Sequence, residues 1–136
     1  MRINVWISHN GLQDSAFKDV SFPYVAKCPS TGRRSEFGGI TDVHDEIIRI
    51  YEEAEDKGFN VGESVYSLSF HFVDPALLID GDCQNRITEY KFCKQFNCPT
   101  YSSLKETPPN IIDDFLIIDE EVNNCIAKKQ KEKSNA

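Results

Sequence analysis

No run of apolar residues in this 136-residue chain approaches the ~20 needed to span a bilayer. The opening residues, MRINVWISHNG, have neither a long apolar core nor a small-residue cleavage site, so a secretory signal is not expected. There is no internal repeat, and the only biased stretch is a Lys-rich tail. The Walker A pattern, Gly-x4-Gly-Lys-Ser/Thr, is absent, and so is GxGxxG. Paired His-x-Ser/Thr motifs of a phosphoesterase type are absent too: the residues read His9-Asn10-Gly11 and His71-Phe72-Val73. These absences leave a soluble cytoplasmic domain without a standard nucleotide loop.

Hydrophobic residues make up 40% and charged residues 27%, an ordinary globular mixture that excludes disorder throughout. The length suits one domain with its own core. We expect that domain over residues 1–127, followed by a flexible Lys-rich tail over 128–136. Lys and Arg number 15 against 22 Asp and Glu, a formal charge of -7. The tail carries four Lys and one Glu, a net +3, so the body stands near -10. Residues 41–57 alone hold seven acidic and two basic side chains. A body so charged repels phosphates and anionic lipid, and it attracts a basic protein surface. The plain alternative is that the acidity only keeps a small protein soluble.

The cysteines are Cys28, Cys83, Cys93, Cys98 and Cys125. Their odd number and the missing secretion signal argue for reduced thiols. No CxxC pair exists, and the five-residue step from Cys93 to Cys98 matches zinc spacing poorly. His9, His44 and His71 are scattered singly. No metal and no cofactor is expected.

Alternation reads residues 2–8 as a half-buried strand, with Ile3, Val5 and Ile7 on one side and Trp6 on the other. Residues 19–27 read as an edge strand interrupted by Pro23. Residues 28–39 read as a loop rich in Pro, Ser and Gly. A helix is predicted over 41–57, with Val43, Ile47, Ile50, Tyr51 and Ala54 on one stripe and Gly58 as its left-handed stop. Residues 65–73 read as the central strand, with Tyr66, Leu68, Phe70 and Phe72 on one face and Ser69 and His71 on the other. Residues 84–96 lean to helix, 111–118 fit helix or strand, and 119–130 fit helix. The fold expected is α+β: one domain, mainly an antiparallel sheet covered on one face by two or three helices.

Three features point to function. The wet face of the 41–57 helix offers Asp42, Asp45, Glu46, Glu53 and Asp56, joined by Asp113, Asp114, Asp119, Glu120 and Glu121 in a broad negative field. With Tyr51 or Trp6 as an aromatic anchor, it suits docking on a basic protein, such as a nuclease or another nucleic-acid-binding protein, which it inhibits or modulates. The partner is then a protein, with no direct nucleic acid and no membrane. The second feature is the loop with Ser30, Thr31, Arg33 and Arg34, whose hydroxyls and guanidinium groups favour an anion. A ligand-binding domain or small enzyme for a phosphorylated or nucleotide compound is the alternative function, with His71, beside Ser69, moving a proton. Otherwise no catalytic residue is assigned, and His71 reads as an ordinary exposed or hydrogen-bonded histidine. The third feature, Asp74, Asp80 and Asp82, fails the EF-hand pattern and reads as caps and turns.

Overall fold

A computed structural model of the chain describes residues 1–134. The described elements are α1 (Arg2–Asn10), β1 (Tyr24–Lys27), β2 (Arg34–Phe37), α2 (Ile40–Asp56), α3 (Val61–Ser69), a 3-10 turn (Pro75–Leu78), α4 (Gly81–Phe96) and α5 (Pro109–Ser134). The only sheet among the described residues is the antiparallel pair β1–β2. The expected sheet covered by helices is therefore wrong: the fold is mostly helical, with one small hairpin. The chain divides into two compact units, one of Met1–Asn10 with Ile79–Ala136 and one of Gly11–Leu78.

The first unit packs α1, α4 and α5 together. Its core is Val5, Ile87, Tyr90 and Ile118, with Met1, Phe115 and Val122 against it. The strand expected over residues 2–8 is a helix. The strand reading put Asn4 and Trp6 in water, yet both are buried with partners. The Asn4 side-chain oxygen accepts from the Asp80 amide at 2.9 Å and from Gln84 Nε2 at 3.1 Å. Trp6, 1% exposed, donates its indole N–H to Glu121 Oε2 at 2.6 Å. Asp80 caps α4 by accepting from the Cys83 amide, which settles 84–96 as helix. Residues 111–118 are helix as well, continuous with 119–134 in α5. Pro109 stands at its first position, where its missing N–H costs nothing. α5 runs on through the Lys-rich residues to Ser134.

Glu121 ties this unit together. Its side chain is 1% exposed and also accepts from Arg2 Nη1 at 2.7 Å, while Lys128 lies 5.6 Å from the centre of the Trp6 ring. Burial works against the Arg2 charge, but the bonds to Glu121 and Glu120 hold its pKa above the ordinary value.

In the second unit the hairpin packs its inner face, Ala26 and Phe37, toward the core, while Val25, Lys27, Arg34 and Glu36 face water. Ring contacts run Phe17–Tyr24–Phe37–Phe72 at 5.3, 5.4 and 5.6 Å. The Tyr24 hydroxyl donates to the Phe72 carbonyl at 2.8 Å, and burial pushes its pKa up to about 12, so it stays protonated. α2 matches the expected helix within a residue, with Val43, Ile50 and Ala54 buried. Gly58 ends it at φ +73, and the Phe59 amide closes on Ala54. The predicted central strand, 65–73, is instead α3 and a following turn. Asn60 caps α3 by accepting from the Glu63 amide at 3.1 Å, and the helix buries Val65, Tyr66 and Ser69 on one side. A local cap thus outweighs the alternating pattern.

Because Trp6 is the single tryptophan, its fluorescence reports on the first unit alone. Glu121→Ala removes the shared acceptor of Trp6 and Arg2, taking the Glu121 bond from the buried indole N–H and leaving Arg2 with Glu120 alone. It should cost about 1–3 kcal/mol, seen as a lower urea midpoint by tryptophan fluorescence. An unchanged midpoint would refute the role given to Glu121.

Candidate functional site

The residues of α2 named from sequence fall into two groups. Asp42, Asp45, Glu53 and Asp56 lie toward solvent, whereas Glu46 is 0% exposed and belongs to no outer rim. Its carboxylate faces the hairpin. The Ser30 hydroxyl donates a very short hydrogen bond to Oε1 and lies 3.1 Å from Oε2, the Ser30 amide is 3.4 Å from Oε1, and Arg49 Nη2 stands 3.6 Å away. Donors replace the water a buried carboxylate would otherwise need. Ser30 is therefore engaged by Glu46 and is not available as an anion ligand. Beside it, burial together with a hydrogen bond to Glu46 pushes the Cys28 thiol up, against an opposing bond to Ser35.

The other carboxylates of α2 differ in how far they are neutralised. Asp42 accepts from the Gly38 amide at 2.7 Å, and Glu53 pairs with Lys57 at 2.6 Å. Asp45, Glu52, Glu55 and Asp56 make no ion pair among the described residues. Helical spacing places Asp45, Ile48, Glu52 and Glu55 on one stripe opposite Val43 and Ile50. Ile48 is 53% exposed and Tyr51, beside it, 38%. The face thus carries exposed Ile48 and Tyr51 beside a row of unpaired carboxylates, with His44 and Arg49 exposed along it. The sequence reading missed Ile48, Glu52 and Glu55, although their steps of three and four from Asp45 were the signal.

Of the five α5 acids expected to join the negative field, four are matched within their unit, and only Asp113 is exposed and outside the ion pairs among the described residues. Glu121 is buried against Arg2 and Trp6, Glu120 pairs with Arg2 at 3.1 Å, and Asp114 pairs with Arg86 at 3.1 Å. Asp119 accepts from the Tyr90 hydroxyl at 2.5 Å and has Lys94 at 3.7 Å. Trp6, being buried, cannot anchor a partner; Tyr51 can.

Ser69 and His71 do not share a strand face. Ser69 ends α3 with its hydroxyl donating to the Tyr66 carbonyl at 3.0 Å. His71 is exposed, its ring 4.1 Å from that of Phe70. The structure does not bring the two into a proton-transfer pair. His71 lines a groove of about 410 Å³ with Lys27, Cys28, Pro29, Gly32 and Leu68. Arg33 and Arg34 are exposed, and Arg34 sits directly across the hairpin from Lys27. None of these three cations makes an ion pair among the described residues. Thr31 accepts from the Arg33 amide at 3.2 Å.

Asp74 and Asp80 act as local caps, accepting from the amides of Ala76 and Cys83. No group of three or more His, Cys, Asp or Glu suited to a metal ion occurs among the described residues. All five cysteines are free thiols. A larger, apolar groove of about 520 Å³ lies between α4, α5 and the segment joining them. Comparison with family models, with curated proteins and with solved structures finds no match.

Glu46→Ala should cost about 1–3 kcal/mol by leaving the Ser30 donors unpaired. The urea midpoint should fall, and alkylation of Cys28 at neutral pH should become faster. A variant with the parental midpoint and a Cys28 as slow as before would show that Glu46 does not tie the hairpin to α2.

Proposed function

We propose that the outer face of α2 docks this protein on a basic protein surface, which it blocks or modulates. The observation that carries the reading is the row of Asp45, Glu52, Glu55 and Asp56, in no ion pair among the described residues, beside exposed Ile48 and Tyr51. Interfaces of this kind join an apolar, aromatic centre to a charged rim; the centre supplies affinity and the rim supplies steering and partner choice. Asp42 and Glu53, partly satisfied within the chain, flank that rim. The same charges repel nucleic acid, so the partner is the basic protein itself. No helix among the described residues is long and apolar enough to cross a membrane. A cytoplasmic setting goes with this reading, since free thiols are the rule in a reducing compartment.

The test begins with the immobilised full chain in native extract. A basic partner retained by the wild type is then made pure and titrated. The combined variant Asp45→Lys, Glu52→Lys, Glu55→Lys should weaken its binding roughly ten- to hundredfold at low salt, and Ile48→Ala roughly fivefold or more. Binding indifferent to both variants, or no basic partner retained, would refute the reading.

A second reading rests on one separate observation: Lys27 and Arg34 face each other across the hairpin without a counter-ion, an arrangement that costs stability until an anion joins them. With Arg33 and His71 nearby in sequence or groove, they suit a phosphorylated compound. Nucleoside triphosphates or sugar phosphates should then raise Tm, and Lys27→Ala or Arg34→Ala should abolish the shift. A broad panel with no shift would remove this reading.

A further inference from the structure

α4 ends on Asn97 in the left-handed conformation, φ 50, and the amide of Cys98 closes back on the Cys93 carbonyl at 3.2 Å. This is a Schellman closure, which sets the residue after the left-handed one against the residue a turn and a half before it. Both positions are cysteine. The N···O distance and the two covalent arms beside it limit the Cα–Cα separation to at most about 7 Å, the span of a disulfide. Cys93 Sγ lies 3.1 Å from Thr100 Oγ1, so the Cys93 thiol faces the segment that Cys98 begins. Cys98 is exposed and Cys93 half-buried. Among the other thiols, Cys28 and Cys125 are buried, and Cys83 lies ~15 Å back along α4.

We propose that Cys93 and Cys98 are a redox-responsive pair that closes to a reversible intrachain disulfide and pins the wall of the apolar groove. That wall includes Cys93, Thr100, Tyr101 and Leu104, facing Ile112 and Phe115. The oxidant is a low-molecular-weight disulfide such as oxidised glutathione. The exposed Cys98 thiolate attacks one glutathione sulfur, breaks the S–S bond and releases one glutathione thiolate. The Cys93 thiolate then attacks Cys98 Sγ, forms the internal bond and expels the second glutathione. The two protons from the cysteines end on the released thiols, and the two electrons leave with them. The Thr100 hydroxyl is placed to donate to the Cys93 thiolate before the second attack. A pair of this kind serves as a sensor in a reducing compartment, where lasting structural disulfides are rare. The proposal is independent of the docking reading, since it concerns the other unit of the chain.

The test incubates the full chain with oxidised glutathione at neutral pH, quenches it with acid, alkylates free thiols in denaturant and maps peptides without reduction. Trypsin cuts after Lys94, between the two cysteines, so the bond appears as two joined peptides. The expected result is a Cys93–Cys98 link as the main product, with Cys28, Cys83 and Cys125 alkylated, and full reversal by dithiothreitol. Cys93→Ser should stop at a glutathione adduct on Cys98. In the oxidised wild type, amide exchange over residues 100–104 should slow at least about threefold. A wild-type chain that does not react, that keeps glutathione on Cys98, that links Cys98 to Cys83 or to a second chain, or that oxidises with no change in exchange would overturn the proposal.

Discussion

A carboxylate leaves water only where donors take the place of its hydration, and two glutamates here do so completely. Glu46 receives Ser30 and Arg49; Glu121 receives Trp6 and Arg2. Each joins parts of the chain that local preference would not bring together. Glu46 fastens a hairpin of two short strands, too small to stand alone, onto a helix. Glu121 fastens α1 onto α5 and gives an indole and a guanidinium a common acceptor. Apolar burial supplies the bulk of the driving force in both units, but it is not directional. The buried carboxylates add direction, because each accepts donors from only one arrangement.

The same constraint sorts the surface charge. Four acids of α5, Asp114, Asp119, Glu120 and Glu121, are matched within their own unit by Arg86, Lys94 and Arg2. Acids on the outer stripe of α2 are not matched. A net charge of -7 says nothing about this difference; the ion pairs do. The docking reading therefore rests on a few side chains of one helix and not on overall acidity. It also explains why an isoleucine stands where the periodicity of α2 calls for a polar residue: an exposed Ile48 is a liability alone and an anchor within an acidic rim.

How much of this was legible in the sequence depended on element length and on where each partner lay. α2 was legible, since seventeen residues distinguish a helical stripe from alternation and Gly58 marks its end. α4 and α5 were partly so, through Ile87 and Tyr90 and through the steps from Ile111 to Cys125. α1 and α3 were misread as strands. Each has nine residues, and over so short a span Ile3, Val5, Ile7 or Tyr66, Leu68, Phe70 satisfy a two-residue period by chance. The deciding signal for α3 was local and overlooked: Asn60 and Glu63 stand at cap spacing. The deciding signal for α1 was not local at all, because Trp6 and its acceptor are separated by 115 positions. The candidate face suffered in the same way. Ile48, Glu52 and Glu55 were passed over although helical period would have found them, whereas nothing near Glu46 showed that a serine sixteen residues earlier would draw it inward.

The connectivity of the first unit sets an order on synthesis. α1 emerges from the ribosome before the whole of Gly11–Leu78, yet its packing partners α4 and α5 come after it. The middle segment is a compact unit in its own right, so its packing partners are complete before α4 and α5 are made. α1 meets its packing partners only once those distant helices have been made, so Val5, Trp6 and Ile7 are buried by closing a long loop, at an entropic cost.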